Sequence, residues 1–447
     1  MKVVDLIRLD KELYLLLVAW AFLSSMFNPV AYLIIPVIMV LFKRNKMTEV
    51  IISLLFVLIL SDSSSSSLAW VKSFKTIFVV ALGIVYVLKH NQNQYNTVIF
   101  RYFGFFMIFA LYCLLFSPVP SQGFQKTLSY FLIFLIVPSL TLEIIRLDGK
   151  EAIYRVVTFA FLIVFLGYLL ELFGIFNVST FGPEGRMRGF FGNPNGLGIF
   201  LVNFLSLLIA SKSIFGKFGG KYFFFITTLF VFFIAAKTGS RGSLMAISAL
   251  IICVELFKFS SWLGLLFVLT IALLYDYIAN FILSLLVAVG LQEELRLDNI
   301  EEGSGRLVVW AFAWENIQES FFTGKGFGFD RFLTRSNQNF LSRKGHEGGV
   351  HNSYLMIWLN TGLIGLILWL RGMILTIISG AKNSKAAWPI LISLFLSAFF
   401  EGWLVGSLNP YTSMLLITFT VLASPSILGK EEIKKLDSKI HMKMEST

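Results

Sequence analysis

One histidine, three arginines and one carboxylate are the side chains of this chain placed to do chemistry. His351 stands where the longest polar stretch, 292–350, gives way to the hydrophobic run HNSYLMIWLNTGLIGLILWL. Imidazole exchanges protons near neutral pH, so a histidine at the mouth of a membrane helix can serve as a general base toward a hydroxyl. Arg188 in RMRGFFGNPNGLG, Arg241 in KTGSRGSL and Arg306 in GSGRLVVW each lie at or shortly before a helix start, with Gly, Ser or Asn nearby. A helix N-terminus offers unpaired N–H groups and the positive end of the helix dipole, and an adjacent guanidinium adds a fork that fits phosphate oxygens. Three such ends facing one side could hold a pyrophosphate. Asn195, in the same motif as Arg188, counts as a further contact to substrate, and Asn352 beside His351 can orient a substrate or cap its helix. His346, in the Gly-rich KGHEGGV, is a substrate contact at most. Glu401, near the end of an apolar run, is placed to pair with one of these arginines or to accept a proton. The plainer alternatives are arginines that anchor helices at lipid headgroups, a histidine bonded to a loop carbonyl, and a carboxylate in a structural salt bridge.

The elements that must position these residues follow from composition. Of 447 residues, 57% are apolar and 14% charged, more apolar material than one water-soluble core can use. Crossing a bilayer takes about 20 apolar residues per helix, and the runs here are continuous and not alternating. The chain reads as an all-α polytopic membrane protein of about 14 transmembrane helices, with about 12 as the alternative count because the first three runs are short. Expected spans are 12–27, 28–43, 48–61, 69–89, 97–117, 126–145, 152–175, 196–212, 222–237, 242–257, 261–290, 352–372, 386–403 and 409–425. Residues 1–150 are N-terminal helices, 151–425 carry the candidate residues, and 426–447 form a basic tail. The first run lacks a convincing cleavage site and reads as retained helix.

Placing both termini in the cytoplasm puts most Lys and Arg in cytoplasmic loops, whereas the opposite short loops hold Arg186, Arg188, Lys237 and Arg241. That orientation sets 292–350 and His351 outside the cytoplasm. Within this large loop Leu307, Trp310, Ala311, Trp314 and Ile317 recur at helical spacing and predict an amphipathic surface helix, and 277–290 reads as a segment bending into the interface. Lys72, Lys75 and Lys126 fall at outer helix ends, where snorkelling accounts for them. The net charge of +11 is dispersed among hydrophobic helices, a distribution that fits topology and not nucleic-acid binding. Cys113 and Cys253 form no spaced framework, and nothing has the spacing of metal ligands. GKGFGFD at 324–330 follows a helix and not a strand, which argues against a nucleotide loop.

Taken in order, RGFFGNPN, GSRGS, SGRLVVWAFAWENI with GKGFG, and HNSYLMIWLNTGLIG resemble the bacterial O-antigen ligase and O-antigen polymerase superfamily over about residues 180–372. The resemblance implies transfer of glycan from undecaprenyl pyrophosphate, on the outer face of the cytoplasmic membrane, to a glycan or lipid acceptor, without cofactor or metal. It implies that Arg188 and Arg241 bind the donor pyrophosphate, that Arg306 assists it or orients the loop, and that His351 activates the acceptor hydroxyl in an inverting transfer. A chain-length regulator is implied as partner for polymerases only. The spaced arginine and glycine repeats that polymerases often carry are missing at the external arginines, yet the modest loop, with no dedicated core-binding domain, leans the reading to polymerase over ligase. A transporter of the same lipid-linked material would place polar sites at the bilayer midplane and show related halves. A scaffold would leave the histidine and arginines unexplained.

Overall fold

The structure is a computed structural model that describes residues 2–89, 98–173, 185–273, 306–344, 348–406 and 408–429. The described residues form helices, with no strand among them. In chain order these are α1 (Val3–Met26), α2 (Ile34–Lys43), α3 (Met47–Asp62), α4 (Ala69–Lys89), α5 (Val98–Cys113), α6 (Pro120–Phe173), α7 (Pro194–Phe215) and α8 (Phe223–Thr238). They continue with α9 (Arg241–Phe259), α10 (Ser261–Leu273), α11 (Arg306–Gln318), α12 (Phe329–Ser336), α13 (Gln338–Arg343), α14 (Ser353–Ala381), α15 (Ala387–Phe400) and α16 (Pro410–Leu428). Seven of the described helices are long and apolar enough to cross a membrane, and four further apolar helices are shorter. The protein is an all-helical polytopic membrane protein. His346, the segment 277–290, and the tail from 430 lie outside the described residues.

Hydrophobicity all round a helix means burial all round. Accordingly α7 and α16 sit inside the bundle and pack on each other, and α3 is buried without interruption from Val50 to Ser61. At 16 residues α3 is about 24 Å long by helical rise, shorter than a hydrocarbon core, but a helix shielded by its neighbours need not match lipid thickness. Helix α1 starts at Val3, well before the expected 12. Its early turns carry charge, and buried Asp10 is answered by Arg155 of α6, whose Nε donates to both carboxylate oxygens at 3.1 and 3.0 Å. Arg155 also reaches Glu49 of α3 at 3.0 Å. α6 runs for 54 residues with a break at Gly149 (φ 61°, ψ −140°), between the two spans expected from sequence at 126–145 and 152–175.

The other break decides the shape of the functional end. α14 is interrupted at Gly362 (φ 63°, ψ −176°), and a broken helix in a membrane protein must have its freed backbone groups satisfied by protein. The 321–326 segment does this. Leu363 N donates to Phe321 O at 2.8 Å, Lys325 N to Leu359 O at 3.1 Å, and Gly326 N to Asn360 O at 2.8 Å. The approach is close enough that a Cβ at Gly324 would lie 2.5 Å from the amide nitrogens of Thr361 and Gly362. GKGFG is therefore a plug for the kink in α14.

Helix α11 forms as the spacing predicts, with a different face inward. Val309, Ala313 and Ile317 are buried against Leu359 and the small core of α12 and α13, whereas Leu307 and Trp314 of the expected stripe are exposed. The helix is docked on α14 and not laid on the surface by that stripe. Lys126, expected to snorkel, is instead half-buried in an ion pair with the buried Asp330 of α12 at 3.0 Å. Burial alone would raise the Asp330 carboxyl. The Lys126 ammonium, the hydrogen bond from the Asn360 side and nearby Arg331 outweigh it and hold the group below the usual carboxylate range.

Candidate functional site

Three helices that start near the site, α7, α14 and α16, begin with a side-chain cap. Asn193 Oδ1 accepts from Gly196 N at 2.7 Å ahead of Pro194, Asn352 Oδ1 accepts from Tyr354 N and Leu355 N at 3.0 and 3.1 Å, and Asn409 Oδ1 accepts from Thr412 N at 2.7 Å ahead of Pro410. Asn followed by Pro is a strong start signal, because Asn accepts from the orphan amides and Pro fits the first turn. Asn352 is 3% exposed, so of the two roles open to it in the sequence the structure shows the cap.

Glu401 is the centre of the constellation. It follows directly on α15 in extended conformation, and its side chain is 12% exposed. Oε1 accepts from Arg306 at 2.8 Å and from Asn195 Nδ2 at 2.7 Å, while Oε2 lies 3.1 Å from His351 Nδ1. Its main-chain oxygen accepts from Ser353 Oγ at 2.7 Å, pinning it to the first turn of α14. Four separate stretches of chain thus meet at one residue. Asn195 in turn accepts from Arg186 at 2.8 Å, and Arg186 Nε donates to Thr238 O at 2.7 Å at the end of α8.

His351 is held in an uncommon conformation, φ 49°, where a non-glycine residue costs roughly 1–3 kcal/mol unless its surroundings fix it. The Glu401 contact and the cap at Asn352 fix it. An ionised carboxylate can only accept, so Nδ1 carries the ring hydrogen of a neutral imidazole and Nε2 keeps its lone pair. Nε2 points to Gly348, where a Cβ would come within 3.0 Å, and a third of the side chain is open.

Of the sequence-predicted residues, His351, Arg306, Asn195 and Glu401 are brought together. Arg241 opens α9 beside them, since a Cβ at neighbouring Gly242 would meet Phe400 Cβ at 3.0 Å, one residue before Glu401. Arg188 is directed elsewhere: its guanidinium donates to Ser64 Oγ at 2.6 Å. That loop is clamped by Asp62, whose Oδ2 accepts from Gly192 N at 3.2 Å and from Tyr411 Oη at 2.7 Å. Arg186, Asp62 and Ser353 are the participants that the sequence reading did not single out. Among the described residues no group of three or more His, Cys, Asp or Glu is placed to hold a metal.

Residues 225–370 match the family model for O-antigen ligase. The match holds Arg241, Arg306 and His351 in a single stretch and supports the resemblance to the O-antigen ligase and polymerase superfamily. RGFFGNPN and Glu401 fall outside the matched residues, and the fold returns both to the same place. No curated protein matches the sequence. The O-antigen ligase match supports cell-surface glycan synthesis by a membrane glycosyltransferase-type enzyme that handles lipid-linked glycan and an acceptor, in a bacterial membrane.

Proposed function

We propose that the protein transfers glycan from undecaprenyl pyrophosphate to a sugar hydroxyl of a second lipid-linked glycan, as a polymerase on the outer face of the cytoplasmic membrane. The observation that carries the reading is the His351–Glu401–Arg306 constellation, a base oriented by a carboxylate that is itself fixed by an arginine. His351 Nε2 takes the proton of the acceptor hydroxyl, the oxygen attacks the anomeric carbon, and the bond from that carbon to the pyrophosphate oxygen breaks with its electron pair leaving on the pyrophosphate. Glu401 stabilises the imidazolium that forms, as the third member of a nucleophile–base–orienter set does. A guanidinium beside the leaving group offsets its growing charge, a role that falls to Arg241 at the start of α9 and to Arg188 once it gives up its bond to Ser64, while Arg306 orients Glu401. Attack from the face opposite the leaving group inverts the anomeric centre. No step calls on a metal or cofactor.

Attachment of the glycan to a lipid core is the second reading, favoured by the O-antigen ligase description of the matched family. Purified protein in liposomes, given lipid-linked oligosaccharide alone and then with a lipid core, separates the two: a ladder from the first mixture means polymerase, and one product requiring the second means ligase. His351→Ala should lower either product by about 10²–10⁴-fold while binding donor as before. Full turnover in that variant would end the base assignment. Movement of intact donor across the bilayer with no product would turn the reading to transport.

A further inference from the structure

Directly behind Glu401 lies a cavity of about 750 Å³ that the chemistry above does not use. Gly402 and Trp403 form part of its wall, as do Asp62 and Tyr411, the pair that clamps the Arg188 loop. The cavity therefore shares a partition with the candidate site on two sides. Its charge is one-sided. Lys75 of α4, Lys126 of α6, and Arg331 and Arg335 of α12 face it, against the single lining carboxylate Asp62. Lys126 is answered by Asp330 and Lys75 donates to Leu408 O at 3.1 Å, but among the described residues no ion pair engages Arg331 or Arg335. These two stand four residues apart on α12, hence on one face, both exposed. Like charges gathered in a concavity repel one another and focus a positive potential that an anion relieves. The rest of the wall suits sugar: Gln122 and Gln125 offer amides, and Trp403 and Phe332 offer aromatic surface.

We infer that this cavity takes the phosphorylated headgroup of the acceptor glycolipid, held by Arg331 and Arg335 with Lys75, while the acceptor's far sugar reaches His351. The inference rests on the glycan-transfer reading, and it adds that the enzyme has two anion sites, one for each lipid-linked substrate. The distribution of residues agrees with this division: the donor arginines come from the loop before α7 and the start of α9, and the acceptor cations from α4 and α12. Under either form of the reaction the acceptor is a phosphorylated lipid, so the same cradle serves a lipid-linked repeat or a phosphorylated core.

The test separates binding from turnover. The His351→Ala protein in nanodiscs, titrated with undecaprenyl pyrophosphate and weighed by native mass spectrometry, should bind two lipids, and the added pair Arg331→Gln and Arg335→Gln should leave one. In the active background the same pair should raise the KM for acceptor at least about tenfold with the donor KM unchanged, and Arg331→Lys with Arg335→Lys should restore much of it. One lipid bound throughout, or two bound despite the glutamines, would overturn the inference. Equal competition by inorganic pyrophosphate would assign a free anion in place of the lipid headgroup and overturn it also. Two lipids bound without any glycan transfer by the wild type would instead count against the proposed reaction while leaving the second anion site standing.

Discussion

Glu401 is the residue on which the candidate site depends most, because its carboxylate touches Arg306, Asn195 and His351 together. Glu401→Gln keeps the shape but gives one side of the group an NH₂ that cannot accept. Turned toward Arg306, that NH₂ meets another donor. Turned toward His351 it donates to Nδ1, and the neutral ring must then carry its hydrogen on Nε2, the nitrogen that should accept the substrate proton. In the first orientation the amide oxygen still accepts from Nδ1–H but carries no charge to stabilise the imidazolium, in the second the base is lost, and transfer should fall about a hundredfold or more with acceptor KM little changed. Glu401→Asp should recover part of it. Steady-state transfer in liposomes checks this, and a wild-type rate for the glutamine variant would show that the carboxylate only holds the fold. His351, Arg306 and Glu401 were legible in sequence because charged groups at the ends of apolar runs are costly and so draw attention. Arg186 and Asp62 were not, since one sits two residues from a more conspicuous arginine and the other ends an ordinary apolar helix. Asp62 meets Tyr411 only through the packing of α3 against α16, and Arg186 meets Asn195 only through the turn of the loop that enters α7.

At the scale of elements, continuous apolar runs gave the helices near their true positions, and the two helix breaks show the limits of that reading. The break in α6 was legible because polar RLDGK interrupts the run. The break at Gly362 was not, because TGLIG reads as small residues inside an unbroken membrane helix. What breaks it is tertiary: main chain from 321–326 enters and takes over the hydrogen bonds. A Cβ at Gly362 would lie 2.2 Å from Phe322 C and O, on a backbone with φ 63°. Gly362→Ala should therefore cost about 3 kcal/mol or more, from clash and left-handed strain together, and loosen the loop that ends at α12. Gly104→Ala, where a Cβ meets nothing within 4 Å, should change stability by about 1 kcal/mol at most. Thermal unfolding of the two variants in detergent micelles tests the pair. Equal midpoints would mean that the plug is not part of the cooperative unit.

For the whole molecule, the decisive quantity is which side of the membrane the site faces. His351, Glu401 and the cationic cavity lie at one end of the bundle, the end where α7 starts at Pro194; the α7–α8 turn with Lys217 lies at the other. Charge bias in the loops predicts that the first end lies outside and the second inside, and the proposed function depends on that orientation. Only that orientation is compatible with a donor displayed on the outer leaflet. Thiol labelling reads it directly, because Cys113 and Cys253 are both buried and leave a silent background. In right-side-out membrane vesicles an impermeant maleimide should label Ser342→Cys on α13 at once, and Lys217→Cys only after the membrane is opened. Both positions are exposed, so access to reagent is governed by sidedness and not by local packing. The reverse pattern would place His351 in the cytoplasm, where the cell's sugar nucleotides are, and an outer-leaflet lipid donor would have to be abandoned even if the geometry around Glu401 were correct in every contact.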